Sequence, residues 1–175
     1  MSKEFFARRW LKKRPLTYMI THMAIMPLID LYATACDWVL SQPFPPKRLL
    51  WFLLVSFFNG MVIEIGRKIR APEAEETGVE TYTFLWGRNR AIFAWWMALG
   101  LTGIFALVAA GSIQFRIPMT ITLAILLGGA LAAGVRFLRN PVTARACFIE
   151  TYSGIWTLFM YLFLGIVPLL VKRLG

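Results

Sequence analysis

Five apolar runs dominate the chain: roughly Leu16 to Leu40, Leu49 to Ile65, Ala91 to Gly111, Ile117 to Phe137 and Phe148 to Val171. Crossing roughly 30 Å of hydrocarbon takes about 20 residues of helix, and each run is close to that length. The constraint is severe, because a backbone in lipid has no water to bond with and must satisfy its own N–H and C=O groups. Helices do this within one segment. Strands do it only in a closed barrel, and the alternation expected of barrel strands is absent. The second run is short if it stops at Ile65, but a helix continuing through Arg67 and Lys68 keeps both charged heads at the interface. The connections QPFPP, SIQFR and RNPVTAR are short and turn-like. The sequence therefore reads as an all-α, polytopic membrane protein with about five transmembrane helices, a single helical domain over 16–175 preceded by a basic segment. Composition agrees: 58% of the 175 residues are hydrophobic and 16% are charged, where a soluble domain carries about a quarter charged.

The basic residues orient the bundle, since they are kept on the cytoplasmic side. With the N-terminus inside, 14 of the 19 Lys and Arg residues fall on inside segments, and the others (Lys47, Arg48, Arg116, Lys172 and Arg173) fall outside. The connection at about 66–90 is then cytoplasmic. The first residues, MSKEFFARRWLKKRP, read as a basic amphipathic helix on the same face, with Phe5, Phe6, Trp10 and Leu11 dipping into lipid. They lack the cleavage site of a signal peptide, and the apolar run that follows is too long for a signal core. The net charge of +10 is explained by topology and anionic lipid, so nucleic acid is not expected as a partner. Cys36 and Cys147 lie near opposite faces, have no metal-ligand spacing, and are expected to be buried, unreactive thiols.

Charge is concentrated between Glu64 and Gly87, EIGRKIRAPEAEETGVETYTFLWG. Glu64, Arg67, Lys68 and Arg70 open the segment, and Glu73, Glu75, Glu76 and Glu80 follow. Such crowding of acids and bases at a membrane boundary suits a charged ligand. The alternative is structural: Glu64 paired with Lys68 at i,i+4, with the other acids solvated. Within the spans, His22, Asp30, Ser56 and Asn59 are polar, and ionisable groups in hydrocarbon need a partner or a wet cavity. For His22 and Asp30 the choice lies between a helix-to-helix hydrogen bond and contact with a ligand. Asp37 lies near the outer interface, where water can reach it.

Gly78, Thr81 three residues on, Leu85, Trp86 and Gly87, and basic Arg88 and Arg90 resemble the G-x-x-T/S…L-x-G stretch of the UbiA-type prenyltransferase superfamily. The likeness is sharper to a divergent bacterial branch and runs from Met1 to about Ala91; the last three helices align by position only. The resemblance implies the second half of a helical bundle in a bacterial inner membrane. In that family two acidic cytoplasmic loops together hold Mg²⁺ on a prenyl diphosphate, whose prenyl group passes to an acceptor. On this reading Glu64, Glu73 and Glu76 are candidate metal ligands and Arg67, Lys68 and Arg70 candidate diphosphate clamps, with His22, Asp30, Asn59 and Tyr82 lining the cavity. Ionisation of an allylic diphosphate leaves a carbocation and pyrophosphate, so catalysis would rest on electrostatic stabilisation and positioning.

The chain departs from the family in two respects. Its second motif carries glutamates and bases in place of aspartates, and no N-D-x-x-D motif with its own helices precedes it; Asn59-Gly60 is the nearest echo. The expectation is a half that needs an N-terminal half-protein or a second copy of itself. The competing class is a non-enzymatic integral membrane subunit or small transporter, with His22, Asp30 and Glu64 along an ion path or interface. Alcohol phosphatidyl transfer is disfavoured because its D-G…A-R…G…D…D pattern is missing.

Overall fold

Each apolar run becomes helix in the computed structural model, which describes residues 14–76 and 78–174. The first run is two helices, α1 (Pro15–Met23) and α2 (Ile25–Trp38). Pro27, in the first turn of α2, cannot donate to the carbonyl of Met23, and the chain breaks at Ala24 between them. The expected amphipathic segment over 1–15 falls, apart from Arg14 and Pro15, outside the described residues.

The second run is α3 (Leu49–Arg67), which does continue past Ile65 through Arg67, as the short apolar stretch requires. A five-residue helix, α4 (Tyr82–Trp86), precedes the long helices α5 (Arg88–Ser112) and α6 (Arg116–Arg139). The last run is α7 (Thr143–Tyr161), a π turn over Leu162–Ile166, and α8 (Val167–Leu174). Pro168 lacks the N–H that would close on Leu164, and the widened turn lies immediately before it. The described residues contain no strand, and five helical stretches are long and apolar enough to cross a membrane, with mean hydropathies of 1.3 to 2.1.

Helix α3 is the hub: it packs against α1, α2, α5 and α7, while α6 closes the bundle between α5 and α7. Where α5 and α6 meet their neighbours, small residues let the backbones approach: Ala98, Gly103 and Ala106 are buried on α5, and Ala130, Ala133 and Gly134 on α6. A Cβ on Gly134 would lie 2.5 Å from the Trp96 ring, and one on Gly66 would collide with the Ser153 hydroxyl. Trp95 Nε1 donates to that hydroxyl at 2.9 Å, and Ser153 in turn donates to the carbonyl of Ile149. Gly66, Trp95 and Ser153 thus lock α3, α5 and α7 together directly beneath the charged connection.

By contrast α2 contributes no buried residue. Among the described residues its polar tie to the bundle is a chain in which Tyr161 Oη donates to Asp30 Oδ2 at 2.9 Å and Ser56 Oγ lies 3.1 Å from the same hydroxyl. The tyrosine proton is already given to Asp30, so Ser56 is the donor in the second bond. Cys36 and Cys147 are exposed on the outside of the bundle, which corrects the expectation that they are buried. A helix face turned to lipid and one turned to a neighbouring helix are both apolar, so the residues around a cysteine do not distinguish them.

Candidate functional site: the Glu64–Gly87 connection

The site begins with a buried acid. Glu64, in the last turn of α3, is 3% exposed, and both its oxygens are held by bases of its own helix end. Arg67 Nη2 lies 2.7 Å from Oε2 and Lys68 Nζ lies 2.7 Å from Oε1. This is the i,i+4 pair read from the sequence, with an i,i+3 arginine added. The two bases differ in setting: the Arg67 side chain is 57% exposed and faces solvent, whereas that of Lys68 is 28% exposed. Lys68 lies 5.3 Å from the centroid of the Tyr18 ring and 5.2 Å from that of Tyr82, so its charge is set between two aromatic faces.

Tyr82 stacks on Trp86 at 4.3 Å, and its backbone N–H donates to the Lys68 carbonyl at 3.0 Å. Its hydroxyl is buried without a partner among the described residues. Burial first, and the nearby Glu64 carboxylate second, push that hydroxyl well above the ordinary tyrosine range, so it stays protonated.

The rest of the connection is held in shape by its own acids. Glu75 accepts from Thr81 Oγ1 at 2.6 Å and from Thr83 Oγ1 at 2.7 Å. Thr81 Oγ1 accepts in turn from the Phe84 N–H and caps α4, and Thr83 Oγ1 accepts from the Arg70 N–H. Gly78 and Gly87 take positive φ, +87° and +80°, which favour glycine, and so set the two turns flanking α4. The Gly78, Thr81 and Gly87 spacing noted in the sequence is therefore two turns and a cap.

Glu73 reaches across the bundle to α7. Its Oε1 accepts from both the backbone N–H and the hydroxyl of Thr143 at 2.8 Å, at the first residue of that helix. Those bonds, backbone first, hold its carboxyl below the usual carboxylate value. Arg70 lies 3.8 Å from Glu150 and, with Arg88, Thr83 and Glu75, lines a cleft of about 310 Å³.

The candidate residues thus separate into groups. Arg67 and Lys68 are brought together by Glu64, and Arg70 stands at the neighbouring cleft. Glu64, Glu73 and Glu76 are not gathered into one cage: Glu64 holds two bases, Glu73 holds Thr143, and Glu76 is exposed without a side-chain partner among the described residues. No three of the described His, Cys, Asp and Glu side chains form a group suited to a metal ion. As arranged, these acids do not fit a magnesium site by themselves.

The cavity candidates separate as well. His22 is exposed and stacks on Tyr18 at 5.3 Å, away from Asp30, which pairs with Tyr161. Asn59 is fully buried, and among the described residues neither atom of its amide has a partner; Thr157 Oγ1 is likewise unpartnered among them. The contacts Ser56 to Tyr161 and Gly66 to Ser153 set an antiparallel register that puts Asn59 and Thr157 at one level of the α3–α7 contact. Sequence reasoning missed Tyr18, Thr83, Thr143 and Tyr161, whose roles come from partners on other elements; Ser153 was legible as a polar residue near the cytoplasmic side, but its bond from Trp95 was not. Thr81 carried a local signal, its spacing from Gly78. No protein-family model matches the chain, and neither a curated protein nor a solved structure matches it.

Proposed function

We propose that this chain is an integral membrane protein resembling the second half of a UbiA-type prenyltransferase, and that its Glu64–Gly87 connection binds the anionic head of a prenyl diphosphate. The observation that carries the reading is the buried Glu64 carboxylate fixing Arg67 and Lys68 at the end of the central helix. A buried acid that holds two bases pre-arranges cations at a low-dielectric mouth, where charge-assisted bonds to phosphate oxygens are strong. Arg70 and Arg88, lining the adjacent cleft, extend the same charge. Beneath it lies an apolar helical bundle.

Glu64, Glu73 and Glu75 are committed to the fold of this connection, which leaves the exposed Glu76 and Glu80 unengaged among the described residues. Carboxylates for a magnesium ion would therefore come mainly from a second acidic loop, on an N-terminal half-protein or a second copy of the chain. This half alone binds the donor and turns it over poorly. The test is binding of farnesyl diphosphate to the detergent-purified protein, with farnesol as the uncharged control. Replacing Arg67 or Arg70 by Ala should weaken diphosphate binding about tenfold each, the loss of one charge-assisted contact. Equal affinity for farnesol and its diphosphate sinks the proposal. Mg²⁺-dependent release of pyrophosphate on adding a half that carries the second acidic loop then tests the transferase activity.

A second reading, an integral membrane subunit or small transporter, is favoured by the Asp30–Tyr161–Ser56 chain, which places an acid between three helices within the spans. In that case Asp30→Asn alters transport or assembly and leaves diphosphate binding unchanged.

A further inference from the structure

At the other end of α3, about 28 Å away for a helix of this length, Asp37 and Arg48 line one cleft of about 520 Å³. Neither side chain has an ion-pair or hydrogen-bond partner among the described residues, and they are not paired with each other. Both stand where a helix disfavours them. Asp37 is in the last turn of α2, at the negative end of its dipole, and Arg48 is the N-cap of α3, at the positive end. Neither helix gains from its charge, so capping does not account for them. Trp38, in the same wall, has a buried indole N–H with no acceptor among the described residues. Leu49, Phe52 and Ile113 supply an apolar floor.

An acid and a base in one cleft that do not meet are complementary to a molecule carrying both charges on an apolar body. We propose that this cleft binds a zwitterionic phospholipid headgroup, a primary ammonium joined to a phosphodiester. The ammonium lies toward Asp37 and the phosphodiester toward Arg48, with the start of the acyl region over Leu49, Phe52 and Ile113. A primary ammonium donates hydrogen bonds to Asp37 that a quaternary one cannot. The proposal rests on membrane insertion of the chain but not on diphosphate binding at the opposite end.

The test is native mass spectrometry of the detergent-purified full chain with phosphatidylethanolamine, phosphatidylcholine or phosphatidylglycerol added to the micelles. Phosphatidylethanolamine should be retained about tenfold better than the other two, the difference made by one charge-assisted contact. Asp37→Asn should remove that preference, and Arg48→Gln should lower retention of all three lipids, with helical circular dichroism unchanged in both. Equal retention of the three lipids by the wild-type chain overturns the proposal without any variant, as does a preference that survives both substitutions. Displacement by free phosphoethanolamine would make a soluble zwitterion the ligand and overturn the lipid assignment; failure to displace supports it. Carbonate extraction reports insertion separately, so a chain that stays in the membrane fraction without lipid preference overturns the cleft alone.

Discussion

At the Glu64 end of α3, charges are bound to one another and to the backbone: Glu64 holds Arg67 and Lys68, Glu73 holds Thr143, and Glu75 holds Thr81 and Thr83. At the Leu49 end, Asp37 and Arg48 share a cleft and have no partner among the described residues. The contrast shows two uses of charge in an apolar chain. Paired acids give an irregular connection a fixed shape, whereas unpaired charges leave an unmet demand that a ligand can satisfy. At the first end Glu64, Glu73 and Glu75 are occupied, Glu76 and Glu80 are exposed, and the outward Arg67 is what the proposed anion would meet. At the second, both signs are open.

The contrast is broken most directly at the junction that supports the paired end. Gly66→Ala drives a methyl group into Ser153, and the bundle should lose about 1–3 kcal/mol, the usual cost of overpacking; Gly100→Ala, which meets nothing within 4 Å, should leave thermal unfolding in detergent almost unchanged. Similar midpoints for the two would remove the three-helix lock. Next, Lys68→Met leaves the buried Glu64 with Arg67 alone. Arg67 is largely solvated, so the expected loss is about 2 kcal/mol, below the full cost of stranding a buried charge. Glu64→Gln introduced into Lys68→Met should recover part of it, and failure to recover would place the effect in the lost aromatic contacts.

Thr81→Ala removes the cap of α4 and a donor to Glu75, for about 1 kcal/mol, read as faster proteolysis of the connection with little change in the global midpoint. Glu73 gives a pH signature. Its folded carboxyl titrates below its ordinary value of 4.5, so its contribution is fully present above that value and is lost as pH falls through the lower, folded one. The difference in unfolding midpoint between the wild type and Glu73→Gln should therefore be constant at neutral pH and close on acidification. A gap that persists at the lowest pH would show that the bond to Thr143 does not depend on the charge. At the unpaired end, Asp37→Asn and Arg48→Gln should each shift stability by less than about 0.5 kcal/mol, and a larger loss would mean that those charges hold structure after all.

Much of the paired end was legible locally. Glu64 with Lys68 follows from i,i+4 spacing, and the continuation of α3 past Ile65 follows from the length needed to span lipid. The turns at Gly78 and Gly87 carried a signal in composition, though the spacing gave no hint that Thr81 would serve Glu75. Glu73 read as a candidate metal ligand or a solvated acid because its partner lies 70 residues away in sequence. His22 and Asp30 share one apolar run about 80° apart around a helix, and the structure stacks His22 on Tyr18 and pairs Asp30 with Tyr161. Asp37 looked merely solvated; its cleft is formed with residues from α3 and α5.

By itself the sequence determined the number of long apolar helical stretches, their approximate extents and the place where charge collects. These depend on backbone satisfaction and on spacings of three or four residues, which one segment contains. The tertiary structure decided which apolar faces meet helix and which face outward, which acids are occupied, and which charges stay apart. Lipid and protein both accept apolar side chains, so periodicity cannot separate the two surroundings. A charge gains or lacks a partner only when distant segments are brought together.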